Sequence, residues 1–94
     1  MSTSSNVKEF TLQFHSDPGH GWLEVSKSMA RFHLRERYLQ ISCYSHMRGN
    51  LLYLEEDSDA PLLVQAMREA GLNVKYEEHD VEVSPIRHYD GFMA

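Results

Sequence analysis

The most chemically suggestive segment of the chain is the short loop Asp17-Pro-Gly-His-Gly21, which Trp22 follows. Its glycines allow the backbone to approach a ligand closely, and successive amides in such a turn can form a concave anion site. The imidazole of His20 could donate or accept a proton near neutral pH. The segment therefore predicts a binding loop that consists of Asp17, Gly19, His20, Gly21 and Trp22. The alternative is a shaped turn followed by Trp22 as a core or interface anchor. No helix follows directly, so neither glycine-rich nucleotide-binding motif is present.

Histidine is frequent, with six residues in a chain of 94, but no two histidines have the spacing of a metal-binding motif. A site assembled across strands from His15, His20, His88 and Asp17 is the metal-binding alternative to histidines that satisfy local hydrogen bonds. The single cysteine, Cys43, excludes a disulfide framework and a cysteine-rich zinc module. We expect Cys43 to be a small core residue, with His46 on the opposite face of a strand. We therefore expect no metal, no cofactor and no catalytic residue.

Two acidic segments, residues 55–59 and 77–82, dominate the charge of the chain. Residues 50–82 carry nine acids against Arg68 and Lys75, a net charge of −7, whereas residues 1–49 carry +2 and the whole chain −5. Acids before a helix can serve as caps, and the spacing of Asp57 and Asp59 could bind a divalent cation, although the rest of an EF-hand loop is missing. One interpretation is helix capping combined with solubility, and the other, which our functional hypothesis uses, is a binding surface for a basic partner. Its members are Glu55, Glu56, Asp57, Asp59, Glu77 and Glu78.

Length and composition limit the classes of protein that this chain can represent. With 94 residues, 41% hydrophobic and 11% aromatic, it is expected to fold as a single domain, residues 1–94, with an ordered core over 7–89 and flexible ends. No apolar run approaches the length of a membrane span, and the first residues lack the features of a signal peptide, so we expect a cytoplasmic protein.

The negative net charge of the chain argues against direct nucleic-acid binding. The basic residues Arg31, Arg35 and Arg37 are expected on a solvated helix face, with local anion binding as the alternative.

Alternating apolar residues predict five strands. The expected strands cover residues 7–15, 22–25, 39–46, 51–55 and 73–83. The loop 16–21 should connect the first two, and a turn over 47–50 should connect the next two as a hairpin. The last strand is expected at a sheet edge, and the tail from His88 onward is expected to be loose.

Two helices complete the predicted fold. The first is expected over about residues 27–36, after Ser26 as N-cap, with Met29 and Phe32 on its apolar side. The second should begin at Ser58 or Asp59, with Pro61 in its first turn, and end before Gly71. The order ββαββαβ predicts a two-layer α+β sandwich, with both helices on one face of a mainly antiparallel sheet.

Several segments resemble a group of short bacterial proteins of unknown function that are associated with plasmids and phages. The segments are Gly19-His-Gly-Trp-Leu-Glu-Val25, Tyr44-Ser-His46, Tyr53-Leu-Glu-Glu-Asp-Ser-Asp-Ala60 and Ser84-Pro-Ile-Arg-His-Tyr89. The resemblance extends from about residue 15 to residue 89 and implies an accessory protein of a mobile element. It implies no activity or ligand. The group has an aromatic residue at position 46 and a small polar residue at position 88, so His46 and His88 depart from its pattern.

Two functional hypotheses follow. The preferred one is a small non-enzymatic protein-binding module that regulates or inhibits a host complex. Its carboxylates would face a basic partner. In the strongest form of this hypothesis, the carboxylates occupy the positions of a nucleic acid on a host nuclease or defence complex. The alternative is a small-ligand or metal-binding domain, enzymatic or not, that uses the Asp17–Gly21 loop and His20 with a neighbour such as Arg87 or His88. A homodimer through an unpaired edge strand is compatible with both hypotheses.

Overall fold

The computed structural model describes residues 8–93, which form a six-stranded sheet with two α-helices. The strands are β1 (Lys8–Asp17), β2 (His20–Ser26), β3 (His46–Arg48), β4 (Leu51–Glu55), β5 (Leu72–Asp80) and β6 (Asp90–Gly91). The helices are α1 (Lys27–Leu34) and α2 (Asp59–Glu69), and two 3₁₀ turns cover Arg35–Gln40 and Pro85–His88. The expected strand start at Val7 lies outside the described residues.

The strand order in the sheet is β5-β1-β2-β4-β3-β6. Neighbouring strands within residues 8–93 are antiparallel, except that β5 lies parallel to β1 at one edge. Both helices pack on the same face, where Leu23, Leu34, Leu54 and Met67 are fully buried in one core. The predicted α+β fold, a mainly antiparallel sheet with both helices on one face, is therefore confirmed. No helix within residues 8–93 has the length and the apolar composition that a membrane crossing requires.

The β1–β2 hairpin is tighter than the sequence predicts. Only Pro18 and Gly19 separate the strands, because β1 continues to Asp17 and β2 starts at His20. The Asp17 side chain accepts the backbone N–H groups of Gly19 and His20, each at 3.0 Å, which closes the turn. The six-residue loop expected over 16–21 is therefore a two-residue turn.

The largest difference from the prediction lies between the two helices. Helix α1 begins after Ser26, whose hydroxyl accepts the Met29 amide as expected, but it ends at Leu34 because Arg35 has a φ of 53°. A 3₁₀ turn and a loop follow, so the predicted strand over 39–46 is wrong and β3 starts only at His46. Cys43 is consequently exposed and is not a core residue. Phe32 is also exposed, at 69%, because Ala30 and Leu34 supply the buried side of the helix.

The C-terminal segment is ordered beyond the point that the sequence predicts. Strand β6 pairs with β3, and the amide of Phe92 donates to the carbonyl of Ser45 at 2.9 Å. The Phe92 ring is buried edge-to-face against Tyr38, with 5.3 Å between the ring centroids. The expectation of a loose tail from His88 onward is therefore wrong for residues 88–92. At the other edge, β5 ends at Asp80, three residues before the expected end.

Candidate functional site: an apolar groove with carboxylates on its rim

The fold brings the two acidic segments to one end of the sheet. Strand β4 ends and α2 begins at this end, and the amide of Glu56 donates to the carbonyl of Gly21 at 3.0 Å. Because β5 runs parallel to β1, its acidic C-terminal half also reaches this end, where Asp80 lies opposite Ser16. The hairpin turn after β1 therefore lies between two segments that are about 20 residues apart in the sequence.

A groove of about 820 Å³ runs between α2 and β5 at this end of the molecule. It is lined by Phe14, Leu23, Glu56, Ala60, Pro61, Val64, Gln65, Arg68, Glu69, Tyr76 and Glu78. We call it the α2–β5 groove. Glu56 comes from the first acidic segment and Glu78 from the second, so the groove is the place where the two segments meet.

The wall of the groove is apolar and partly open to solvent. Tyr76 is 45% exposed, and its ring lies 6.2 Å from that of the half-buried Phe14. Ala60 and Val64 line the opposite side, on α2. Among the charged residues that line the groove, three are carboxylates and one, Arg68, is a guanidinium. The groove therefore offers apolar contact area inside an acidic rim.

Gly21 allows the rim to form. A Cβ atom at this position would lie 2.6 Å from the tip of the Phe14 ring and 2.9 Å from the carboxyl carbon of Glu56. Real Cβ atoms essentially never approach other heavy atoms so closely. The glycine thus admits close approach, as the sequence indicates, but the groups that approach it are the chain's own Phe14 and Glu56.

The six acidic residues of the predicted surface separate into groups. Glu56 and Glu78 line the groove, and Asp57 is exposed next to it without lining it. Glu77 is exposed on the opposite face of β5, where its carboxylate accepts a hydrogen bond from the Gln13 side chain at 3.1 Å. Glu55 caps the turn that leads into α2, since its carboxylate accepts the backbone N–H of Asp57 at 2.9 Å.

Asp59 does not belong to an acidic surface, because it is only 3% exposed. Its carboxylate accepts the backbone N–H and the hydroxyl of Ser42 and also the hydroxyl of Ser45. These hydrogen bonds fix the loop after the first 3₁₀ turn, where the sequence predicts a strand. The side chain of Asp59 therefore has a structural role.

The Asp17 carboxylate occupies the anion-binding position that the sequence assigns to a ligand. Besides the two turn amides, it accepts the Ser84 amide at 3.0 Å and two hydrogen bonds from Arg87, at 2.7 and 2.8 Å. The Arg87 guanidinium, together with these amides, holds the pKa of the Asp17 carboxyl well below its ordinary value, against the opposing effect of burial. The amides of Gly19 and His20 are thus engaged within the chain.

Trp22 and His20 lie at a second hollow, of about 560 Å³, on the face of the sheet opposite α1 and α2. The Trp22 side chain is only 2% exposed, and it packs in a small buried cluster with Tyr53 and Ile86. The hollow is also lined by Cys43, Tyr44, His46, Glu55, Ser58 and Arg87. Cys43 and His46 therefore share one hollow, which corrects the expectation that they lie on opposite faces.

The histidines of the metal-binding alternative are dispersed. His15 donates from Nε2 to Glu24 at 2.8 Å and stacks on His79, whereas His88 lines a shallow hollow next to Lys27. Asp17 is engaged by Arg87. Within residues 8–93 no three His, Cys, Asp or Glu side chains are arranged to hold a metal ion.

The residues that the sequence did not single out are Phe14 and Tyr76, which form the apolar part of the groove. The alternation of apolar and polar residues places both side chains on the inner face of their strands. Their contact, however, depends on the parallel pairing of β1 with β5.

Comparison of the chain with family models, with curated proteins and with solved structures finds no match.

Proposed function

We propose that the chain is a non-enzymatic protein-binding module whose α2–β5 groove takes a segment of a partner protein that carries apolar and basic side chains. The observation that supports the proposal most directly is the presence of Glu56 and Glu78, one from each acidic segment, on the same apolar groove. The resemblance to accessory proteins of mobile elements suggests the kind of partner. We propose that the chain regulates or inhibits a complex of the host cell.

The chemistry of the groove suits a segment that carries both apolar and basic side chains. Apolar side chains of a partner gain contact with Tyr76 and Phe14, both of which are partly open to solvent. Lysine or arginine residues that flank them would lie against the rim carboxylates of Glu56 and Glu78. Such pairs accelerate and orient association, and they reject acidic partners by repulsion. The net charge of −7 over residues 50–82 adds a longer-range attraction for the same kind of partner.

Selection from a random twelve-residue peptide library tests this proposal. The wild-type protein is the target, and the double variant Glu56→Lys/Glu78→Lys, checked for its fold by NMR, is the counter-target. We expect the enriched peptides to combine apolar residues with a net positive charge and to bind the variant at least about tenfold more weakly, because the variant replaces attraction with repulsion. Enriched peptides without a charge bias, or equal binding to both proteins, would contradict the proposal.

A further inference from the structure

We infer that the partner segment binds as an added β-strand along the free edge of β5, with alternate side chains over the α2–β5 groove. The inference rests on the proposed function and specifies how the partner is held. Strand β5 is the first strand of the sheet and has β1 on one side. Its other side is, within residues 8–93, an edge with no strand beside it. This edge is nine residues long.

The direction of the amides on this edge follows from the pairing with β1. The amide of Val81 donates to the carbonyl of Ser16, so the backbone groups of residue 81 point towards β1. Alternate residues of a strand point their backbone groups to opposite sides. The N–H and C=O groups of Val74, Tyr76 and Glu78 therefore point to the free edge.

The residues with edge-facing amides are also the residues that face the groove. Val74 is buried against the helices, and Tyr76 and Glu78 line the groove. A strand added beside β5 would consequently place every second side chain next to Tyr76 and Glu78, over the groove. One segment of the partner could thus bind the backbone edge and the groove at the same time.

The charges along the edge favour a basic occupant over a second copy of this chain. Glu77, Glu78 and Asp80 lie on β5, whereas its single cation, Lys75, is paired with Glu9 at 3.2 Å. A second copy, whose net charge is also −5, would bring its own acidic residues to this acidic edge. Charged side chains on an edge strand prevent indiscriminate pairing, so this edge should select a segment of the opposite charge.

Amide hydrogen exchange measured by NMR tests the inference, with the strongest binder from the peptide library as the probe. In the free protein we expect fast exchange at Tyr76 and Glu78 and slow exchange at Lys75 and Glu77, whose amides bond to β1. Saturating peptide should slow exchange at Tyr76 and Glu78 by about tenfold or more, because these amides become hydrogen-bonded. Copies of the peptide with N-methyl groups on alternate residues supply the matched control. N-methyl groups on the residues whose amides point to β5 should weaken binding by about tenfold or more. N-methyl groups on the other residues, whose amides point away from β5, should not.

The outcomes separate this inference from the proposed function. A peptide that loses affinity for the Glu56→Lys/Glu78→Lys variant, but leaves exchange at Tyr76 and Glu78 unchanged, overturns strand addition and leaves the groove function intact. Selected peptides that bind the wild type and the variant equally overturn the proposed function itself. Protection of the same amides without peptide, together with a doubled mass in light scattering, would identify a second copy as the occupant and overturn the inference.

Discussion

Arg87 forms a bidentate ion pair with Asp17, which lies 70 residues earlier in the chain. The distances are 2.7 Å from Nε to Oδ2 and 2.8 Å from Nη2 to Oδ1. The Asp17 side chain is fully buried, and it also accepts the amides of Gly19, His20 and Ser84. The pair therefore fixes the β1–β2 turn against the segment that follows β5. This turn lies next to Gly21 and hence next to the rim of the α2–β5 groove.

Replacement of Asp17 by Asn should destabilise the protein in a pH-dependent manner. The pKa of this carboxyl in the folded state lies below its ordinary value of 3.8, so its stabilising effect is present above that value and is lost as the pH falls towards the folded-state pKa. We expect the variant to melt at least about 5 °C below the wild type at pH 7. Urea unfolding at pH 7, 4 and 3 should show the difference between the two proteins narrowing towards acid. A difference that stays constant across this range would show that the charge of Asp17 is not responsible.

Replacement of Gly21 by Ala should displace the rim of the groove while the fold persists. The added methyl collides with the ends of the Phe14 and Glu56 side chains, which must move, and we expect a loss of about 1 kcal/mol of unfolding free energy. We also expect a weaker affinity for library-selected peptides, measured by calorimetry. Gly91→Ala is the matched control, because its methyl would lie 3.4 Å from the nearest heavy atom, the carbonyl oxygen of Cys43. Unchanged stability and affinity in the Gly21 variant would contradict the packing described.

Asp59→Ala should be among the more destabilising substitutions of an acidic residue. It removes the acceptor of two serine hydroxyls and one amide in a buried position, which should cost about 3 kcal/mol. The exposed neighbour Asp57 provides the comparison, since Asp57→Ala should change the unfolding free energy by about 0.5 kcal/mol or less. Denaturant titration of both variants measures the contrast. Equal and small changes in the unfolding free energy of both variants would contradict the buried position of Asp59 and support its predicted place on the acidic surface.

The thiol of Cys43 should react readily in the native protein. Cys43 is exposed and lies in a loop, so folding does not protect it from a reagent such as 5,5′-dithiobis(2-nitrobenzoic acid). We expect the native protein and the urea-unfolded protein to react at rates within about tenfold of each other. A native rate that is slower by several orders of magnitude would restore the core position that strand periodicity predicts for this residue.

Local sequence signals account for most of the elements. Ser26 caps α1, and the apolar stripe of α2 is followed by Gly71, whose φ of 86° suits a glycine after the helix end. The strand alternation around Phe14 and the β3–β4 hairpin are also visible in the sequence, although the turn covers only Gly49 and Asn50 and not the expected 47–50. These features depend on residues that are close together in the chain.

The differences arise where distant residues decide the structure. The loop after the first 3₁₀ turn alternates like a strand, but Ser42 and Ser45 bond to Asp59, which is 17 and 14 residues away. The groove depends on the parallel pairing of β1 with β5, which brings Phe14 next to Tyr76. The sequence identifies both acidic segments but does not show which carboxylates face the same groove.

The affinity of a library-selected basic peptide for two matched double variants tests whether the α2–β5 groove itself holds the partner. Glu56→Gln/Glu78→Gln removes two charges from the groove, and Asp57→Asn/Glu77→Gln removes two charges from the adjacent positions outside it. Calorimetry should show binding about tenfold weaker for the groove variant, as two partly exposed ion pairs would give, and within about twofold of wild type for the other. Equal losses in both variants would show that general acidity, and not the α2–β5 groove, holds the partner.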